Sequence, residues 1–158
     1  MPKKEKTNQK PEEIAKEVAE ELFKKLEITA SVKASFDEEK NLIIEVEGEE
    51  LGILIGKYGQ TLKDLQFVLG SLINKKLGEE WQRVLLDIGG WRKAREESLR
   101  LLAKNAAERA RFKKEPVSLP PMDAFDRRII HLSLAAYPDL TSESEGEGEE
   151  RKVVVKPK

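Results

Sequence analysis

The sequence predicts an α+β protein made of two small domains, and three observations carry that reading. Apolar residues recur every three to four positions in some stretches and every two in others, the spacings of helices and strands. These stretches run helix, strand, strand, helix, helix, strand, and then helix, strand, helix, strand, strand. A Gly89-Gly90 pair separates the two sets in a chain of 158 residues, a length that suits one ordinary domain or two small ones. The expected organisation is a disordered tail over 1–10, a first domain over 11–88 and a second over 89–158.

The first ten residues are polar, lysine-rich and without periodicity, hence the expected tail. Pro11 can open a helix at its first turn. Ile14, Val18, Leu22 and Leu26 then form one stripe, flanked by Ala15, Ala19 and Phe23. Ala30, Val32, Ala34 and Phe36 alternate with polar residues, as do Leu42, Ile44 and Val46 after the polar turn 37–41, which together predict a hairpin. A short apolar helix follows near Leu51–Ile55. The next helix places Leu62, Leu65, Val68, Leu69, Leu72 and Ile73 on one face and ends at Gly78, a C-terminal glycine cap. Val84, Leu86 and Ile88 alternate as a third strand.

Past the glycine pair, a long helix from about Trp91 to Lys113 buries Leu99, Leu102, Ala103, Ala106 and Ala110. Pro116, Pro120 and Pro121 leave room for a short strand at 117–119. Asp123 caps a helix running to about Ala136. The segment from Leu140 to Lys156 reads as two strands joined at Gly146-Glu147-Gly148, the second rich in valine.

Composition excludes several chemistries. There is no cysteine, so disulfide scaffolds, thiolate metal sites and cysteine nucleophiles are absent. One histidine leaves at most one imidazole acid or base and no multi-histidine metal centre. No apolar run approaches the roughly 20 residues that span a bilayer, and no apolar stretch follows the N-terminal lysines as in a signal peptide. A cytoplasmic chain without membrane insertion is expected. The formal net charge is −1, so no global basic footprint points to a polyanion. The charge is uneven: 9 Lys/Arg stand against 14 Asp/Glu in residues 1–50, and 9 against 4 in residues 91–116.

The strongest motif is Gly56-Lys57-Tyr58-Gly59, between two predicted helices. Two glycines three apart allow backbone angles that other residues avoid. Main-chain N–H groups at the mouth of the second helix, backed by its dipole, favour phosphate, and Lys57 adds a flexible cation there. Alone, such a tetrad also suits a plain steric role at a helix junction. Tyr58 can stack on a base or pack against its own loop. In its context of helix, hairpin, short helix and amphipathic helix, the tetrad resembles the GxxG loop of a type II KH domain (order αββααβ). Such a loop clamps about four nucleotides of a single strand by their backbone. The strand 84–88 would form the far wall of the groove, its apolar side chains serving mainly the core.

The second constellation is Arg127-Arg128-Ile129-Ile130-His131. Arg127 and His131 are four apart and share a helix face. Arginine offers a planar fork of donors for phosphate and imidazole can donate beside it. A bland alternative makes His131 a satisfied helix residue and Arg127 a partner of Asp123. Lys93, Arg100, Lys104 and Arg111 align on the preceding helix, but Glu97 and Glu108 lie among them, as on a solvated, ion-paired face.

The carboxyl half, with Pro120-Pro121-Met122-Asp123 before Arg127-x-x-x-His131 and the hairpin Thr141-x-Ser-x-Ser-x-Gly-x-Gly-x-x-Arg151-x-Val-Val, resembles the RxxxH single-stranded nucleic-acid-binding domain (order α-β-α-β-β). Together the two halves resemble the bacterial Jag (SpoIIIJ-associated) family over roughly residues 11–158. The resemblance implies RNA contacts at Gly56, Lys57, Gly59, Arg127 and His131, and more loosely at Arg128 and Arg151. It also implies a small single-KH-domain protein as partner, no cofactor or metal, and a post-transcriptional or RNA-chaperone role tied to cell-envelope, cell-shape, sporulation or division control. Many members carry a separate N-terminal domain, whereas about ten residues precede the KH-like unit here.

A non-catalytic single-stranded RNA binder is thus the leading expectation, with single-stranded DNA as the alternative ligand. An enzyme acting on phosphodiesters would need His131 as its lone acid or base. An interaction scaffold would use the acidic first 50 residues and the Glu143–Glu150 cluster against a basic partner.

Overall fold

Helix α1 (Pro11–Lys25) opens on Pro11, as the sequence predicts, with Glu12 and Glu13 in its first turn and Lys24 and Lys25 in its last, each sign favoured by the helix dipole. A computed structural model describes residues 9–78 and 81–158 of the chain. Residues 1–8 of the expected disordered tail lie outside the described residues. The chain forms two compact units, one through Trp91 and one from Arg92 onward.

In the first unit α1 is followed by strands β1 (Ser31–Phe36) and β2 (Leu42–Glu47), the short helix α2 (Gly52–Ile55), a 3₁₀ turn (Lys57–Gly59), helix α3 (Gln60–Leu77) and strand β3 (Val84–Ile88). The order is the αββααβ expected. Strands β1 and β2 pair antiparallel and β2 and β3 pair parallel, so β2 is central and β3 is an edge. The turn between β1 and β2 is held by Asp37, whose carboxylate accepts from the backbone of Glu39 and Asn41 and from the Asn41 side chain. Phe23, Leu42, Ile44, Leu62, Leu69 and Leu86 are almost wholly buried together. Each such side chain contributes about 1.5–3 kcal/mol relative to exposure.

Burial corrects the stripes at their edges. Leu26 is half exposed because α1 has ended before it, and Phe36 at the end of β1 is partly exposed. Val68 and Leu72 of α3 face solvent. A helix packed on one sheet buries a strip of limited width, which Leu62, Leu69, Gly70 and Ile73 fill. Gly78 caps α3 in the left-handed region (φ 67°), its N–H donating to the Asn74 carbonyl.

The second unit contains α4 (Trp91–Lys113, whose first residue packs in the first core), β4 (Val117–Ser118), α5 (Ala124–Leu134), β5 (Leu140–Glu145) and β6 (Lys152–Pro157). Its sheet order is β4-β6-β5, all antiparallel, with the valine-rich β6 in the centre. Val153 and Val155 meet Leu99, Ala103, Ala107 and Ala110 of α4 and Ile130 of α5 in one core. Asp123 caps α5 by accepting from the Asp126 N–H at 2.9 Å. Helix α5 stops at Leu134, short of the Ala136 expected.

A buried ion pair ties α4 to α5. Arg95 donates through Nε (3.1 Å) and Nη2 (2.7 Å) to Asp126 Oδ2, and the Asp126 side chain is only 6% exposed. No buried side-chain nitrogen or oxygen among the described residues lacks a hydrogen-bond partner.

Candidate nucleic-acid interface

The GxxG tetrad forms a tight bend between α2 and α3. Gly56 has φ 70° and ψ −175°, a region only glycine occupies readily. A Cβ there would stand 2.8 Å from Thr61 Cβ. Gly59 opens α3 at φ 77°, and a Cβ on it would lie 2.6 Å from Trp91 Cζ3. The indole of Trp91 therefore sits directly under the loop. The sequence does not reveal this supporting role, since Trp91 reads there only as the start of the next helix.

Lys57 and Tyr58 form the rim. Tyr58 is held at φ 52°, unusual for a residue with a side chain, and is 56% exposed. Backbone strain of this kind concentrates at ligand clamps. Lys57 is exposed, its Nζ 5.6 Å from the centre of the Tyr58 ring, and it makes no ion pair among the described residues. The loop amides are less open than the sequence suggests. Gly56 donates to the Gly52 carbonyl, Gly59 to Gly56 and Gln60 to Lys57. The end of α2 thus draws one N–H group inward and the 3₁₀ turn two more, so more of any grip on phosphate falls to the Lys57 ammonium.

Strand β3 stands beside α3, close enough that a Cβ on Gly70 would lie in ordinary contact with Val84 Cβ, at 3.7 Å. Leu42 donates to the Arg83 carbonyl and Gly89 to the Val46 carbonyl, so the odd-numbered residues of this strand face β2. Val84, Leu86 and Ile88 turn their main-chain groups to the outer edge. Their side chains are buried, in line with a core role. Gln66 of α3 covers the middle of that edge, its Oε1 accepting from the Leu86 N–H at 2.9 Å.

In the second unit Arg127 and His131 do share a face of α5, yet both are anchored. Arg127 Nη1 donates to the Met122 carbonyl at 2.8 Å. His131 is clasped by β5: Nδ1 lies 2.7 Å from Ser142 Oγ and Nε2 lies 2.9 Å from Ser144 Oγ. Arg151 Nη1 donates to the Gly146 carbonyl at 2.7 Å, closing the hairpin tip. Arg128 is exposed and makes no ion pair among the described residues. Of the acidic tip, Glu143 and Glu145 both pair with Lys156 and raise its pKa. On α4, Arg100 pairs with Glu96, and Arg111 pairs with Asp139 while stacking 4.8 Å from the Tyr137 ring centre, as a solvated, ion-paired face would.

Burial first, and then the positive charge of Arg127, hold the His131 pKa below the ordinary imidazole value. The folded state therefore favours neutral imidazole, and the unfolded chain binds the extra proton first. The stability this group contributes is complete above about pH 6.5 and is lost as the pH falls below it. The second unit should melt at a lower temperature at pH 5 than at pH 7, and His131→Gln should shrink that difference. An equal pH dependence in the variant, followed by calorimetry, would sink the assignment.

Comparison with known proteins agrees with this architecture. Residues 12–87 match the KhpA/KhpB-type KH domain, and residues 97–157 match the R-3-H domain, the one named for its RxxxH motif. The chain is therefore a tandem KH–RxxxH protein, and the two matches follow each other with no third domain between them. Similar proteins include those named RNA-binding protein KhpB from Clostridium symbiosum (36% identical over 140 residues, 88% of this chain and 63% of that protein), Bacillus subtilis (31% over 140 residues, 87% and 64%) and Lactiplantibacillus plantarum (32% over 134 residues, 85% and 41%). The two matches and these relatives support a Jag-type protein with a KH domain followed by an RxxxH domain. It spans less than two thirds of the length of these relatives. No helix among the described residues is long and apolar enough to cross a membrane.

Proposed function

We propose that this chain binds single-stranded RNA without catalysis, gripping the sugar–phosphate backbone at the GxxG loop and using the RxxxH unit as a second contact. The observation that carries the reading is the strained, glycine-framed bend at the start of α3, which presents Lys57 and Tyr58 to solvent. Its relatives bear the name RNA-binding protein. In the second unit the contact falls to Arg128 and to the outward edge of the Arg127 guanidinium, while His131 positions α5 against β5. Two weak modules on one chain reinforce each other through effective concentration. The resemblance to these relatives supports a post-transcriptional role in the cytoplasm, alongside a small single-KH protein.

The test is fluorescence anisotropy on labelled single-stranded RNA. With about 4 to 6 phosphates neutralised, log affinity should fall against log salt with a slope of roughly −3 to −4. Replacing Lys57 and Tyr58 together by aspartate should cut affinity about 10- to 100-fold while the melting temperature stays within a few degrees. Unchanged affinity in that folded variant would remove the KH loop from the mechanism. Tighter binding to DNA of the same sequence would favour the single-stranded DNA reading instead.

A further inference from the structure

We propose that Phe67 and Trp81 are base-stacking platforms that extend the grip of the GxxG loop along the groove between α3 and β3. The inference rests on the RNA-binding reading above and adds the residues that would receive the bases. Both side chains are 76% exposed, in a unit whose Phe23 is 2% exposed. A ring loses its largest favourable term when left in water, so two of them on one face call for a reason.

Their placement supplies it. Phe67, Ser71 and Lys75 follow one another at every fourth position of α3, on the face that runs from the loop. Trp81 meets the far end of this face, where with Ser71, Asn74 and Lys75 it lines a shallow cavity of about 310 Å³. Asn74 fixes the neighbouring backbone, accepting from the Gln82 N–H at 2.7 Å and donating to the Gln82 carbonyl at 2.9 Å. Trp81 is thus displayed next to an anchored backbone. At 1.5 Å per residue, α3 carries Phe67 about 12 Å and Lys75 about 24 Å beyond Gly59, a path along the axis for a strand leaving the loop.

The chemistry of the face matches one ligand class. Single-stranded nucleic acid is held by cations along its backbone and by rings under its bases. Here Lys57 stands at the start and Lys75 at the end, and neither makes an ion pair among the described residues.

Stacking and phosphate contact differ in their salt dependence, which makes the proposal separable from the loop reading. The probes are labelled polyuridine and polyadenosine of about 12 nucleotides, long enough to pass the roughly four held at a KH loop. Phe67→Ala and Trp81→Ala should each weaken binding about 5- to 100-fold. The salt slope should stay at its wild-type value, whereas the Lys57/Tyr58 double aspartate lowers it. Trp81→Phe should retain most of the affinity, because a ring remains. RNA should quench the wild-type tryptophan emission, and Trp81→Phe should lack most of that quenching while Trp91 still reports. Unchanged affinity and quenching in the Trp81 and Phe67 variants overturns the proposal, even if the loop variant still loses binding. Loss of self-association in Phe67→Ala by analytical ultracentrifugation, with RNA affinity intact, also overturns it and assigns the face to a second copy. If the loop variant binds as wild type while the ring variants fail, the groove stands and the loop reading falls.

Discussion

Gly59→Ala is expected to destabilise the first unit by about 2–4 kcal/mol and to weaken RNA binding more than about tenfold. Two costs combine. A side chain at φ 77° occupies the left-handed region, at about 1–2 kcal/mol, and its Cβ meets the Trp91 ring at less than van der Waals distance. The ring must shift, and a displaced Trp91 moves the loop that it supports. Tryptophan emission should change even before unfolding. Gly52→Ala is the control, since a Cβ there meets nothing within 4 Å and the residue is helical. It should leave stability equal or slightly raised. If thermal melting shows both variants alike, the support role of Trp91 is wrong.

Arg95→Ala should cost the second unit a comparable amount, about 2–4 kcal/mol, because it leaves the Asp126 carboxylate buried beside α4 with its principal donor removed. Arg95 is itself partly accessible, which places the figure below that for a fully sealed pair. Adding Asp126→Leu to Arg95→Ala should recover much of the loss, since a buried pair replaced by apolar groups is often neutral. The response should stay within the second unit: amide exchange should accelerate in α5 and β5 and remain unchanged in α3. A single variant within about 0.5 kcal/mol of wild type, the usual range for surface changes, would show that the pair is merely a surface contact.

These two residues also mark where sequence reading stops. Gly59 announces itself, because glycines three apart between two helical stripes are visible in one dimension. The ring beneath it does not, because Trp91 lies 32 positions further on and only the fold returns it to the loop. Arg95 and Asp126 carry no pattern linking them, and a charge on a helix reads as solvated until a neighbour covers it. His131 shows the same limit. Its spacing from Arg127 places both on one face, but the serines that clasp its ring come from β5, which no local pattern reveals. Phe67 escapes a linear reading for the opposite reason: an apolar residue beside a helical stripe implies core, and only the folded structure reveals that it and Trp81 are exposed.

By itself the sequence determined the element order in both units, the loop glycines, the helix caps at Gly78 and Asp123, and the kinship with KH–RxxxH proteins. All of these are set by neighbours within a few positions, or by motif spacing, which a linear chain displays. The tertiary structure alone decided which side of α3 meets water, which loop amides turn inward, and which polar groups pair across elements. Those outcomes depend on contacts between residues tens of positions apart, whose free energy is fixed by local dielectric and packing that exist only once the chain has closed on itself.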